Sequence, residues 1–444
     1  MPPLFHPAAY DSGRFPDSYW RSSVAERPAD DPLEGDESCD VAVIGGGYTG
    51  LSTALHLARD HGVDVRVLEA GSPGWGASGR NGGFCCMGAS KLPASRMLSL
   101  FGIEETRRYF TMQREAVELV ADLAGAEEID FDRQGDGVLE VAHRPSRMAE
   151  LEEDARLDRE LAGLASAIWT REELAERGFV GPEAHGALHQ PAGFGLHPLK
   201  YHHGLLAAAR RHGARIHHQS RVLGWEREGG RHRLRTERGA ISARRVVIAT
   251  NGYTPDELHP ALVGTFLPAF SNILTTRPLT PDERAAQGWV TELPVFDTRR
   301  LLFYFRMLKD GRFLLGTRGD THGGPAAADR MKGWLHRRLG EMFPAWAGVE
   351  VSHFWTGLVC LSANLTPLIG RVADDPGVHY GLAYHGNGVA SATWTGRALA
   401  RMVAGEDDQL PAPVARPPRR FPLPALRAWY LRAAYLGYRV RDAL

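Results

Sequence analysis

Lysine is nearly absent from this 444-residue chain: only Lys91, Lys200, Lys309 and Lys332 occur, and every other one of the 52 basic residues is arginine. That skew reads as genomic composition bias and carries no chemistry. Cysteine is almost as scarce. Cys39, Cys85, Cys86 and Cys360 form no CxxC pair, which excludes a disulfide scaffold and a cysteine zinc site and leads us to expect a reducing, cytoplasmic setting. Net charge is lacking too: 52 basic against 53 acidic residues leaves −1, which excludes a general polyanion binder, so no nucleic-acid partner is expected. No membrane-length apolar run exists. The charge-free stretch Pro376 to Gly396 holds five glycines, two histidines and an asparagine, too polar for lipid. The opening MPPLFHPAAYDSGRF has neither a basic nor an apolar signal region and is not expected to be a signal peptide; membrane contact is likewise not expected. Walker A, HExxH and GxSxG motifs are missing, and the adjacent pairs His202-His203 and His217-His218 diverge on a helix or a strand, so no metal is expected.

What the chain has is glycine, 50 residues of it, concentrated where backbone must approach something closely. Asp40-Val-Ala-Val-Ile44 is a short apolar strand. Gly45-Gly-Gly-Tyr-Thr-Gly50 follows, then Leu51, Ala54, Leu55 and Ala58 at helical spacing, then a second strand, Val63 to Leu68, ending on Glu69. Gly45 permits the turn, Gly47 admits a pyrophosphate, and Gly50 lets the helix pack on the strand. The N–H groups at the helix start, Tyr48 and Thr49, receive the anion. Glu69-Ala70 stands where a carboxylate accepts both ribose hydroxyls. The pattern specifies a dinucleotide site. Gly76-Ala77-Ser78-Gly79-Arg80-Asn81-Gly82-Gly83 then runs bare backbone towards the ring end of the cofactor, with Ser78, Arg80 and Asn81 available to bond phosphate or flavin. A Rossmann unit at the start of a long chain favours FAD over NAD.

These residues resemble the FAD-dependent glycine/D-amino-acid oxidase (DAO) superfamily, and within it the γ-glutamylputrescine oxidase-type amine oxidases. Further blocks match in order: Gly195-Leu-His-Pro-Leu-Lys200; Arg244 to Tyr253, containing Thr250-Asn251-Gly252; the hairpin Leu302 to Gly316; Trp355-Thr-Gly357; and Tyr384-His-Gly-Asn-Gly-Val389. The resemblance implies an α/β fold, with a discontinuous Rossmann-type FAD domain (36–100, 193–256, 353–405) and an inserted α+β substrate domain built on an antiparallel sheet (101–192, 257–352). An N-terminal arm (1–35), anchored by Tyr19 and Trp20, and a C-terminal tail (406–444) flank them. The tail carries seven arginines and five aromatics from Arg416 onward; the readings are a basic amphipathic helix lying on a membrane or a partner and a helix docked on the protein's own surface, the latter being the expected form. FAD contacts are expected from the three Gly-rich blocks, from Val222, and from Gly386, Asn387, Gly388 and Val389, where bare N–H groups open a helix and favour negative charge.

Implied activity is oxidation of the C–N bond of an amine or amino acid, by hydride transfer to non-covalently held FAD, imine hydrolysis and reoxidation by O2 to H2O2. The alternatives are a dehydrogenase with another electron acceptor and a non-catalytic FAD-binding protein. Tyr304, Trp355 and His385, with Tyr253 and Phe305, are the expected aromatic walls of the amine site. Arg306 is a candidate fork for a substrate carboxylate. Three departures stand out. Where sarcosine-oxidase-type relatives carry an oxygen-activating lysine on the hairpin, this chain has Leu314 and other apolar residues. Phe84 replaces a polar residue after the Gly-rich loop. Cys360 lies near the position of a covalent flavin link in some relatives but is opposite a non-linking residue.

Overall fold

Two eight-stranded sheets define the molecule. The computed structural model describes residues 4–25, 30–406 and 409–443; residues 1–3 and 26–29 of the expected arm, and 407, 408 and 444 of the tail, lie outside them. The elements needed below are, in chain order, β1 (Gly35–Ile44), α1 (Tyr48–His61), β2 (Val65–Leu68), α2 (Ala94–Ala126), β3 (Val138–Val141), α3 (Pro198–Arg211), β4 (Gly239–Ile248), β5 (Phe266–Pro278), β6 (Val295–Asp297), β7 (Phe303–Met307), β8 (Arg312–Arg318), β9 (Val351–Ser362), β10 (Val378–Leu382), α4 (Gly388–Ala404) and α5 (Arg427–Ala443).

In the first sheet β10, β4, β1, β2 and the short strand Arg215–His217 lie side by side and parallel. Parallel strands covered on both faces read as continuous apolar runs, and Val41–Ile44, Val65–Leu68 and Val246–Ile248 are buried throughout. Gly224–Glu228 forms a hairpin with Arg231–Arg235, and the latter strand pairs antiparallel with β4. The helices α1 and α4 cross closely because Gly396 has no side chain: a Cβ there would meet Ser52 Cβ at 2.5 Å and Thr49 O at 2.6 Å. Ser52 Oγ instead donates to Thr393 O at 2.7 Å.

The second sheet runs β9, β5, β8, β7, β6, β3, Ala187–Gln190, Ala167–Trp169, antiparallel except where β6 meets β3. Its β9 strand begins the segment 353–405 that the sequence reading assigned to the other domain; it pairs along its length with β5, so those residues build the second sheet. One face of this sheet buries Leu139, Val141, Val295, Phe303, Phe305 and Leu315 with Trp289, Phe343 and Trp346. The opposite face looks into the space between the sheets.

Both flanking segments close on this body. Trp20, buried, donates its indole N–H to Asn81 O at 2.8 Å. Helix α5 buries Leu431 and Tyr435 against Leu267 and Phe270. It is held by Arg427, which pairs with Asp256, and by Asp442, which accepts from the N–H groups of Arg300 and Leu301 at 2.9 and 3.1 Å. Trp429 and Leu436 remain exposed on its outer side.

Candidate active site

A cavity of about 840 Å³ runs between the sheets. Its first part is lined by Gly45–Thr49 of the turn between β1 and α1, by Glu69 and Ala70 at the end of β2, and by Val222. Gly45 sits at φ +104, where a Cβ would come within 2.8 Å of Ala249 O. Gly50 is off the cavity. Its contribution is packing, since a Cβ would lie 1.9 Å from Gly45 O, so only glycine brings the start of α1 onto β1. Glu69 is inside: Oε2 accepts from Gly46 N at 2.7 Å and Oε1 from Gly71 N at 2.8 Å, while burial raises its carboxyl above the usual range against those bonds.

The Gly76–Gly83 loop forms the middle. Gly76, Ala77, Ser78, Arg80, Asn81 and Gly82 line the cavity, but three expected side-chain ligands are committed to protein groups. Ser78 Oγ accepts from Tyr48 N at 3.0 Å, clasping the start of α1. Arg80 Nε donates to Trp75 O at 2.6 Å, with the guanidinium over the Trp75 ring. Asn81 Oδ1 accepts from Gly83 N at 2.9 Å and its amide donates to Ala77 O and Ser78 O. These three shape the loop, which leaves its backbone to meet a ligand. Thr250 and Asn251 line the opposite wall; Gly252 packs under Leu358 and Gly83 against Leu196 O, both outside the cavity.

At the far end stand Tyr304, Tyr384, His385, Gly386, Asn387, Gly388 and Val389. Tyr304 lies flat over Gly316, whose absent Cβ would fall 2.1 Å from Tyr304 Cζ, and shares a 2.7 Å hydrogen bond with Ser271. Burial pushes its phenol up to about 12. His385 is 1 % exposed, with Nε2 3.2 Å from Ser362 Oγ and Nδ1 without a partner among the described residues. Burial and the nearby cations Lys91 and Arg318 hold it neutral, down to about 3. Tyr253 lines the cavity and packs on Trp75. Tyr384 bonds Thr49 Oγ1 at 2.7 Å.

Three expected site residues lie elsewhere. Trp355 is buried off the cavity, donating to Arg80 O at 2.8 Å and packing on Trp20, so it braces the Gly-rich loop. Arg306 is fully buried behind that loop, donating to Gly82 O at 3.1 Å and Leu196 O at 2.5 Å; its fork is occupied by backbone and is not offered to a carboxylate. Phe305 points into the aromatic core on the other face of β7. Conversely, Lys91, Glu140 and Phe296 line the cavity and were not anticipated. A readable signal existed for Glu140: an acid inside the apolar strand Val138-Leu-Glu-Val141.

The cavity fits FAD. The helices α1 and α4 both begin on it, and neither Gly47 nor Asn387 supplies a side-chain cap, so each presents the positive end of a helix to a ligand. Glu69 at one end and the uncharged Tyr304 and His385 at the other match a molecule with a ribose at one extreme and a flat ring at the other. All four cysteines are free and buried; Cys360 lines the cavity, with burial raising its thiol well above the usual value. No metal-ligating cluster occurs among the described residues, and no helix there is long and apolar enough to cross a membrane.

Fold and site together define a flavin-dependent oxidoreductase. Residues 40–402 match the FAD dependent oxidoreductase (DAO) family model. The chain is 31% identical over 435 residues to gamma-glutamylputrescine oxidoreductase of Escherichia coli (strain K12), spanning 96% of this chain and 98% of that protein. It is 32% identical over 398 residues to the probable oxidoreductase OrdL of Rhizobium meliloti, spanning 88% and 89%. Among solved structures, glycine oxidase from Geobacillus kaustophilus shares the fold with a TM-score of 0.70 at 21% identity, covering 87% of this chain and all of that one. L-proline dehydrogenase from P. horikoshii does so at 0.69 and 20%, covering 85% and 96%. The chain belongs to the DAO family and is an FAD-dependent oxidoreductase.

Proposed function

We infer that this enzyme oxidises the C–N bond of an amine or amino acid, with γ-glutamylputrescine-like amines, polyamines and secondary amines as the substrate types, and that O2 takes the electrons to give H2O2. The observation that carries this reading is that Tyr304, which lies against Gly82, and His385 both line the cavity and are both uncharged at neutral pH. FAD, when bound, supplies the acceptor for the hydride leaving the carbon next to nitrogen. The protein's part is to receive the amine in its neutral form. An ammonium entering between Tyr304, Tyr384 and Phe84 leaves water for an apolar wall, which favours loss of its proton. The Tyr304 phenol, fixed by Ser271 at 2.7 Å, and the unpartnered Nδ1 of His385 are the groups able to orient the nitrogen. Water hydrolyses the resulting imine, so that R–CH2–NH2 + O2 + H2O gives R–CHO + NH3 + H2O2. The similarity to gamma-glutamylputrescine oxidoreductase supports the same chemistry.

Leu314 supports a second reading, in which another acceptor replaces O2, because the hairpin lacks the lysine of the oxygen-using relatives it resembles. An oxygen electrode, run with polyamines, γ-glutamylated amines, sarcosine and D-amino acids, separates the two. The first reading expects equimolar O2 uptake, ammonia (or the smaller amine) and H2O2. Turnover seen only with an added dye or quinone selects the second, and no turnover with either overturns both.

A further inference from the structure

We propose that the cavity carries, beyond its flavin end, a receptor for a zwitterionic head: Glu140 takes the ammonium and Lys91 the carboxylate of an α-amino acid group on the substrate, about 10 Å from the aromatic ring that faces the reacting amine. This rests on the reading that the amine reacts beside Tyr304.

The placement follows from sheet register. Gly316 of β8 pairs with Tyr304 of β7, Tyr304 with Phe296 of β6, and Phe296 with Glu140 of β3. Residues opposed in a ladder share a face, so Tyr304, Phe296 and Glu140 form one row across the cavity side of the sheet. Their neighbours Leu139, Val141, Val295, Phe303 and Phe305 fill the other side. Glu140 stands two strands from Tyr304, which at about 4.8 Å per strand gives the stated separation. Phe296 between them offers an apolar floor for an alkyl chain.

Among the described residues the protein gives neither side chain a hydrogen bond or an ion pair, although both line the cavity and each acts on the other as the opposite charge. The surroundings sort by sign. Glu150, Asp154 and Asp297 act on Glu140 as like charges, and Arg318 and Arg300 act on Lys91 as like charges. Burial pushes the Glu140 carboxyl up to about 8, while Lys91 is an exposed residue that lines the cavity wall. Neither side chain has a hydrogen-bonded counter-charge, and a ligand bearing an ammonium and a carboxylate on one carbon brings both. A plain diamine would answer Glu140 and leave Lys91 against two arginines.

The test uses FAD-loaded protein and calorimetry with a ligand that has the head but no amine at the reacting end, the γ-glutamyl amide of butylamine. Two analogues accompany it: N-butylglutaramate, lacking the ammonium, and N-butyl-4-aminobutanamide, lacking the carboxylate. Wild type binds the complete head about 10-fold or more tighter than either analogue. Glu140→Gln loses the preference over N-butylglutaramate only, and Lys91→Met the preference over the other analogue only. Equal binding of the three by wild type, no binding of any, or variants that keep the wild-type ranking overturn the proposal. Should a variant fail to fold, the wild-type ranking alone decides. Flavin bleaching by amines without this ranking refutes the receptor and spares the oxidase; the ranking without bleaching does the reverse.

Discussion

Glu69→Gln isolates what the cavity asks of its first end. The carboxylate holds Gly46 N at 2.7 Å on one oxygen and Gly71 N at 2.8 Å on the other. Glutamine keeps a single acceptor. Whichever way its amide turns, an –NH2 faces a backbone N–H, and one buried donor is left unpaired, at a cost of about 1–3 kcal/mol. Gly46 belongs to the turn that cradles the cofactor, so the disturbance falls on the site itself. The negative acceptor for a ribose diol is lost as well. Together these raise the Kd for FAD by about 10- to 100-fold. The assay is titration of apoprotein with FAD, followed by quenching of flavin fluorescence, with Tm recorded alongside. A Kd within twofold of wild type at unchanged Tm would refute the assignment of Glu69 to the cofactor.

Other expectations follow from the same geometry. Gly316→Ala places a Cβ 2.1 Å from Tyr304 Cζ, an overpacking of about 1–3 kcal/mol that tips the ring off Ser271; kcat/KM falls about 10-fold with FAD still bound, and an unchanged value contradicts the role of Tyr304. Acid precipitation releases FAD into the supernatant, because the protonated, buried Cys360 forms no bond to it; colour retained in the pellet contradicts this. Seven buried histidines (56, 143, 197, 202, 218, 379 and 385) are held down to between about 3 and about 4 by burial. Histidines in the unfolded chain take up protons near 6.5, so stability falls as pH drops from 7 to 5. The raised carboxyls Glu140, Asp154 and Asp297 act in the opposite sense but are fewer. Differential scanning fluorimetry is expected to give a lower Tm at pH 5 than at pH 7, and an equal or higher one would contradict the balance.

The parts of the site that the sequence made legible are those built from neighbours in the chain. The turn Gly45–Gly50 and Glu69 belong to one βαβ unit, so spacing alone placed them. The HGNG block opens α4 for the same local reason. Arg306 and Trp355 were misjudged because residue type does not say which layer a side chain enters. Arg306 shares a strand face with Tyr304, yet the Gly-rich loop lies across it, and Leu196 O and Gly82 O consume its fork. Glu140, Phe296 and Tyr304 meet only through the pairing of β3, β6 and β7, strands more than 150 residues apart in sequence at the extremes, and no local pattern encodes that register. The substrate end of such a cavity is therefore written in strand pairing, while the cofactor end is written in motifs.

Anaerobic titration of the FAD-loaded protein with a γ-glutamylated amine tests the central claim most directly, because it asks whether one cavity holds cofactor and amine together. The account predicts that one equivalent of amine bleaches the visible flavin band of one equivalent of protein, and that Gly316→Ala slows the bleaching without changing its extent. Well-folded protein that acquires no flavin band, or a bound flavin that no member of the amine and amino-acid panel bleaches, would contradict it.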